Sequence, residues 1–293
     1  MPIKLNIIGC GRLGRTLARL WVDAGVFEIG DINDHTLDKS HAAVAFIGGG
    51  RACGHTADMR AADLWLLAPP DDRIAVCCEE LVASAPLAAG NIVFHCSGAL
   101  SSTVLSTAAA RGATVASVHP LKTFADASAA VLTFNGSRCA AEGDAAALSV
   151  LQPAFERIGA QVFAIKAPAK TLYHAASVMM CNYLTALLET GARSFEAAGL
   201  PRDEAMRMVE PLVRETLDNV FAMGPARALT GPIVRGDVEV VRRQVEALTV
   251  LDPHVAEVYR SLGVIATQLA AAQGAAKPAA LAAIEALLQR PRA

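Results

Sequence analysis

The sequence predicts an α/β fold, a doubly wound parallel sheet, followed by an all-helical carboxyl-terminal region. Three observations carry that prediction. Short apolar runs alternate with helical stretches as far as Lys166. Glycines at 9, 11 and 14 lie between the first apolar run and the first helical one. From Lys170 onward no run reads as a strand, and long helical stretches follow one another.

The elements of the first half come in order. Lys4–Gly9 reads as a strand, and Leu13–Ala24 as a helix closed by Gly25. Val26–Asn33 is a second strand. Leu64–Ala68 is a third, stopped by Pro69 and Pro70. Ile92–Cys96 and Thr114–Val118 follow, the latter ending at His119 and Pro120. Two further short strands, Ser137–Ala141 and Gln161–Ile165, flank a helix over Ala145–Ile158. The second half reads as helices over Lys170–Ala198, Pro201–Met223, Val238–Leu248, Pro253–Ala272 and Pro278–Gln289, broken at glycine and proline pairs. At 293 residues the chain suits two domains, expected over 1–166 and 167–293.

Composition narrows the function. The net charge is −2 with no block of like charge, so neither a nucleic acid nor an anionic membrane is expected as partner. Seven scattered cysteines show no paired spacing, which predicts reduced thiols, with neither a disulfide framework nor a metal site. The first strand starts near Met1 with no secretory segment ahead of it, so a cytoplasmic protein is expected.

Gly9-x-Gly11-x-x-Gly14 follows a strand directly and opens a helix, the context that makes this spacing a Rossmann dinucleotide fingerprint. Gly9 permits the tight turn, Gly11 the approach of a pyrophosphate, and Gly14 close packing of helix on strand. The diphosphate would then rest on the main chain of Gly9, Cys10, Gly11, Arg12, Leu13 and Gly14, at the positive end of the helix. Asp31 lies about 20 residues further on, where an acid accepts from the ribose hydroxyls and repels a 2′-phosphate. The cofactor expected is therefore NAD(P), leaning to NAD; Asp34 could hold the same position, and His35 or Lys39 could meet a phosphate. Ala68 and Pro69 should line the cofactor at the sheet's carboxyl edge. Ser97 and His119, each just past a strand, should lie by the nicotinamide and a small-molecule substrate, with Lys122 and Thr123 more weakly placed. Ser97 reads equally well as a helix N-cap.

Gly9–Gly14, the Ala68–Asp71 loop and an all-helical second domain resemble the 6-phosphogluconate dehydrogenase-like superfamily of β-hydroxyacid dehydrogenases and their relatives. The motifs His95–Ser102, His119–Phe124, Tyr173–Leu187 and Ala228–Asp237 are similar to a poorly characterised branch, Rossmann-like proteins with a carboxyl-terminal domain of unknown function. The superfamily resemblance implies a catalytic lysine on the first helix of the second domain, acting with an asparagine one turn later. Lys170 and His174 have that spacing, with histidine where the relatives carry asparagine. Residues four apart share a helix face with a rise of roughly 6 Å, so the two could converge on one carbonyl.

Asn182 lies two turns beyond His174, within an apolar stretch that calls for a buried partner or a substrate contact. Arg235 could anchor a substrate carboxylate or pair within the chain, and Asp237 reads as the N-cap of the next helix. The helical domain is alanine-rich, with too few large side chains to close a core alone, and relatives dimerise through it; a homodimer is expected. The function expected is hydride transfer between NAD(P) and a small polar substrate. Two alternatives stand beside it: a non-catalytic dinucleotide sensor, and a deazaflavin-linked NADP reductase, whose helical domain is normally smaller.

Overall fold

The computed structural model describes residues 2–289. Met1 and residues 290–293, the outermost positions of the two expected domains, lie outside the described residues. The chain divides into two compact units, Met1–Met180 and Cys181–Ala293. The expected boundary after residue 166 differs from that division by one helix, Lys170–Ser177, which belongs to the first unit.

The first unit is built on an eight-stranded sheet of order β3-β2-β1-β4-β5-β6-β7-β8. The strands are β1 Lys4–Ile8, β2 Glu28–Asn33, β3 Arg51–Cys53, β4 Leu64–Leu67, β5 Ile92–His95, β6 Thr114–Pro120, β7 Arg138–Gly143 and β8 Gln161–Ala164. All neighbours are parallel except β6 and β7, which pair antiparallel from Ala116↔Gly143 to Pro120↔Cys139. The first six strands have the dinucleotide-fold order, in which the chain leaves β1 in both directions and opens a crevice beyond the carboxyl ends of β1 and β4. Helices α1 Arg12–Asp23, α2 Leu37–Ile47, α3 Ile74–Ser84, α4 Ser106–Ala110, α5 Ala127–Leu132 and α6 Ala145–Arg157 cross between strands.

Both faces of the sheet are covered, so central strand β4 is apolar throughout rather than alternating. Leu64, Trp65, Leu66 and Leu67 of β4 are all buried. One core layer centres on Trp21 of α1, which meets Phe27, Phe94 and Phe155 edge-on at centroid distances of 5.2, 6.3 and 5.3 Å. Its indole N–H donates to the Ala154 carbonyl at 3.1 Å, which satisfies its one polar atom inside the core. The opposite layer packs Trp65, Cys78, Leu81 and Val93. All seven cysteines are free, six buried and Cys181 exposed.

Helix α7, Lys170–Ser177, closes the first unit. The uninterrupted helix expected over Lys170–Ala198 is broken after it by a π-helical turn, Val178–Asn182. The second unit then contains α8 Tyr183–Ala197, α9 Arg202–Met223, the short α10 Pro225–Ala228 and α11 Pro232–Arg235, α12 Val238–Leu251, α13 Pro253–Gln273 and α14 Pro278–Leu288. Its core is small: Val241, Val245, Ile284 and Leu288 bury together, and Leu288 occupies the space that Gly263 leaves open. Met208, Leu212, Phe221 and Val250 stand exposed on its helices. Among the described residues, no helix is long and apolar enough to cross a membrane.

Candidate functional site

The glycine loop runs from the end of β1 into α1, and its three glycines do different work. Gly9 has φ +79, and a Cβ there would stand 2.5 Å from Pro69 N, so this glycine lets the loops after β1 and β4 touch. A Cβ on Gly14 would meet Gly9 O at 3.2 Å and Ala68 Cβ at 3.3 Å, so the third glycine seats the helix against the same two loops. Gly11 is otherwise. Its φ of −66 suits any residue, and a Cβ would find nothing within 4 Å. It caps α1 without a side-chain hydrogen bond, and no acid occupies the first turn. The helix therefore presents free N–H groups to open space, the arrangement that accepts a phosphate. Ala68 and Pro69 stand where expected, against Gly9. Cys10 contributes main chain only: its side chain is buried and burial pushes the thiol up to about 12.

Asp31 is a correction. It sits within β2 rather than at its carboxyl end, and its carboxylate is fully buried. Arg51 holds it at 2.9 and 2.7 Å, Arg60 Nη2 at 2.6 Å, and the Arg60 main-chain N–H at 2.6 Å. Burial alone would raise this carboxyl; the hydrogen bonds from Arg51 and Arg60 outweigh it and hold the group well below the usual carboxylate range. A carboxylate so committed cannot take a ribose hydroxyl. Asp34, just past β2, faces the glycine loop instead: its Oδ2 accepts the Cys10 N–H at 3.0 Å, and its Oδ1 accepts the His35 N–H at 2.8 Å. Oδ1 also lies 2.9 Å from His35 Nδ1, which leaves Oδ2 as the oxygen with a lone pair for a further donor.

The second half of the site forms at the carboxyl edge of β5 and β6. Ser97 Oγ donates to Asp71 Oδ2 at 2.8 Å and accepts the N–H groups of Ala99 and Leu100 at 3.2 and 3.0 Å. Its hydroxyl thus braces the turn, while the helix N-cap position the sequence offered to Ser97 falls at Ser101. Lys170 is almost wholly buried. Its ammonium donates to the Ser97 carbonyl at 2.6 Å and to Ser117 Oγ on β6 at 2.5 Å. Desolvation lowers the ammonium pKa, and the Glu142 carboxylate opposes that shift. Glu142 is itself buried, accepting from Ser102 N–H and Oγ at 2.7 and 2.8 Å.

Lys170 and His174 do share one face of α7, and that face does meet the Ser97–Gly98 turn. In this arrangement the Lys170 ammonium grips the main chain of the turn and Ser117 Oγ. His174 lies over Gly98, where a Cβ would come within 2.4 Å of its Nδ1. That nitrogen is buried without a hydrogen-bond partner. His119, at the end of β6, meets the same glycine: the same Cβ would lie 2.8 Å from both its Cε1 and its Nε2. The rings of His119 and His174 stand at 83° with centroids 5.7 Å apart. Tyr173 completes the group, its hydroxyl 3.0 Å from His119 Nδ1. Burial, with Lys170 second, pushes His119 down to about 4, and burial pushes the Tyr173 phenol up to about 12.

The remaining expected residues fall elsewhere. Lys122 bonds Thr133 O and Oγ1 at 2.8 and 2.9 Å on the surface. Asn182 is exposed at the end of the π-helical turn, without the buried partner expected of it. Arg235 pairs with Asp237 at 2.9 Å, the intramolecular alternative, and Asp237 stands at the N-cap position of α12 without bonding its N–H groups. Gly98 reads from the sequence, with Ser97, as facing the nicotinamide, whereas Tyr173, Ser117 and Glu142 were not singled out as site residues. Gly98 and Tyr173 lie beside Ser97 and His174 in the quoted motifs, but Ser117 and Glu142 carry no local signal.

A Rossmann-like sheet whose glycine loop opens into an uncapped helix N-terminus, followed by a helical unit, defines the chain as a Rossmann-like α/β protein with an all-helical carboxyl-terminal region. The chain belongs to the family defined by the domain of unknown function DUF2520, whose model matches residues 137–288, while residues 2–120 match a Rossmann-like domain. No curated protein matches the chain. Among solved structures, protein TM1727 from Thermotoga maritima has a TM-score of 0.72 at 24% identity, over 92% of this chain and 99% of that protein. A candidate NADP oxidoreductase, BF3122 from Bacteroides fragilis, has a TM-score of 0.74 at 19% identity, over 92% and 98%. A reductive aminase from Aspergillus terreus, in complex with NADPH and ethyl levulinate, has a TM-score of 0.58 at 15% identity, over 99% and 93%. At these identities the likeness establishes the shared fold.

Proposed function

We propose that the protein is an NAD(P)-dependent oxidoreductase acting on a small polar substrate at the Ser97–Gly98 turn. The observation that carries this reading is the open space over Gly11 at an uncapped helix N-terminus, on the sheet edge that also gathers His119, Tyr173 and His174 around Gly98. A dinucleotide would lie on the main chain from Gly9 to Leu13 with its ribose by Asp34, and when bound it supplies the hydride acceptor or donor. The chain's own groups orient the substrate. His119 is held neutral near pH 7 by burial, so it serves as a hydrogen-bonding group rather than a cation. Lys170 keeps the turn in place beneath it.

Asp34 supports a preference for NAD(H), because a carboxylate at that position repels a 2′-phosphate. A second copy of the chain is the partner that best suits the apolar helices of the second unit, and sedimentation equilibrium should return twice the chain mass. Calorimetric titration with NADH and NADPH tests the central reading. Tighter NADH binding, with Asp34→Ser moving the preference towards NADPH, is the result expected. Binding of neither dinucleotide removes the proposal, and binding without turnover of any carbonyl or imine substrate favours a sensor.

A further inference from the structure

Two histidines at the carboxyl edge of the sheet are built alike and used differently. His95, on β5, spends both ring nitrogens inside the protein. Its Nδ1 accepts the Ser97 N–H at 3.1 Å, so the proton must sit on Nε2, which donates to the Ser101 carbonyl at 3.2 Å. His95 is therefore a structural group with a fixed tautomer.

His119, on β6, has one hydrogen-bond partner for its ring among the described residues. Its Nδ1 lies 3.0 Å from the Tyr173 hydroxyl, and the rings meet edge-on at 86°. Two neutral arrangements fit that distance: the phenol donates to a bare Nδ1, or an Nδ1–H donates to the phenol oxygen. Phenol O–H is the better donor of the two and a bare imidazole nitrogen the better acceptor, so the first arrangement is favoured. The imidazole proton then moves to Nε2. That atom lies on the ring edge facing Gly98, and it is neither bonded to the protein nor sealed from solvent among the described residues.

We propose that Tyr173 is a positioning residue that holds His119 in its Nε2–H form, so that His119 presents a neutral hydrogen-bond donor beside Gly98. On the oxidoreductase reading, the atom that receives this bond is the substrate's acceptor oxygen or nitrogen. The tautomer itself does not depend on that reading. A Cβ at residue 98 would strike the donor edge, which explains why a glycine stands there.

The test is long-range proton–nitrogen NMR on the full chain, with the His119 signals identified by their loss in His119→Gln. In the wild type, His119 should show an unprotonated Nδ1 and a protonated Nε2, the same pattern as His95. In Tyr173→Phe the His119 signals should shift to the average of two tautomers while those of His95 stay put, which also shows that the variant is folded. A wild-type His119 protonated on Nδ1 overturns the proposal, and so does a Tyr173→Phe spectrum in which His119 is unchanged. Should Tyr173→Phe fail to fold, the wild-type spectrum alone decides. No dinucleotide or substrate is needed, so a failure here is distinct from a failure of the oxidoreductase reading, which the titration with NADH and NADPH decides.

Discussion

At Gly11 the torsions suit any residue and the space beyond Cα is open, so a side chain placed there touches the ligand site and not the fold. Gly11→Val should leave the protein folded, at a cost of about 1 kcal/mol of stability from the poorer N-cap, while NADH binding by calorimetry disappears. Retained binding would put the diphosphate somewhere other than this loop. Gly9→Ala should do the reverse of sparing the fold, since a left-handed φ of +79 and a main-chain contact at 2.5 Å both oppose the new methyl. Asp31 and Asp34 separate in the same way. Asp31→Asn weakens the two-arginine clamp, and because both guanidinium groups reach solvent they are not stranded. The expected cost is about 1–3 kcal/mol of stability, read by denaturant unfolding, with the ratio of NADH to NADPH affinity unchanged. A changed ratio would return Asp31 to the cofactor.

The element that most shapes the site is α7, through the grip of Lys170 on the turn after β5 and on Ser117 of β6. Lys170→Met keeps the buried stem and removes the ammonium. It leaves a buried carbonyl and hydroxyl short of a donor and Glu142 without its nearby cation, and each unsatisfied group costs about 1–3 kcal/mol. Lys170→Met should therefore lower stability and activity together; lost activity at full stability would make Lys170 a direct participant in the chemistry. This helix also shows what a sequence conveys. The spacing of Lys170 and His174 put both on one face, because helical geometry is local. What that face meets depends on Ser97 and Ser117, 73 and 53 residues away, and no periodicity encodes them. The glycine loop and the central strands were legible because their pattern is contained in a few consecutive residues. Strand β3 was not, since three residues carry no period, and the antiparallel turn of β7 against β6 leaves no mark on either strand. Asp31 misled for the same reason: the arginines that claim it lie 20 and 29 residues downstream.

Over the whole molecule, buried neutral histidines link stability to pH. His95 and His119 are both pushed down to about 4 by burial, with the Lys170 charge adding to it, from an ordinary value of 6.5. Between those values the unfolded chain binds protons that the folded chain refuses, so stability rises with pH across that window. Their contribution is complete above about pH 6.5 and is lost as the pH falls towards 4. The steepest expected slope is about 1.4 kcal/mol per pH unit for each histidine. Asp31 acts in the same direction but lower down: its carboxyl is held below its ordinary value, so its share persists to below about pH 4. Thermal unfolding at constant ionic strength should thus show a melting temperature that falls from pH 7 to pH 5, before any carboxylate held at its lowered value titrates. His119→Gln, which keeps a hydrogen-bonding group but cannot titrate, should flatten that fall by about half. A wild-type profile level between pH 7 and pH 5 would mean that His119 and His95 accept protons in the folded state. The ring cluster around Gly98 would then gain positive charge as the pH falls below about 6.5, and a neutral donor edge on His119 could not be maintained there.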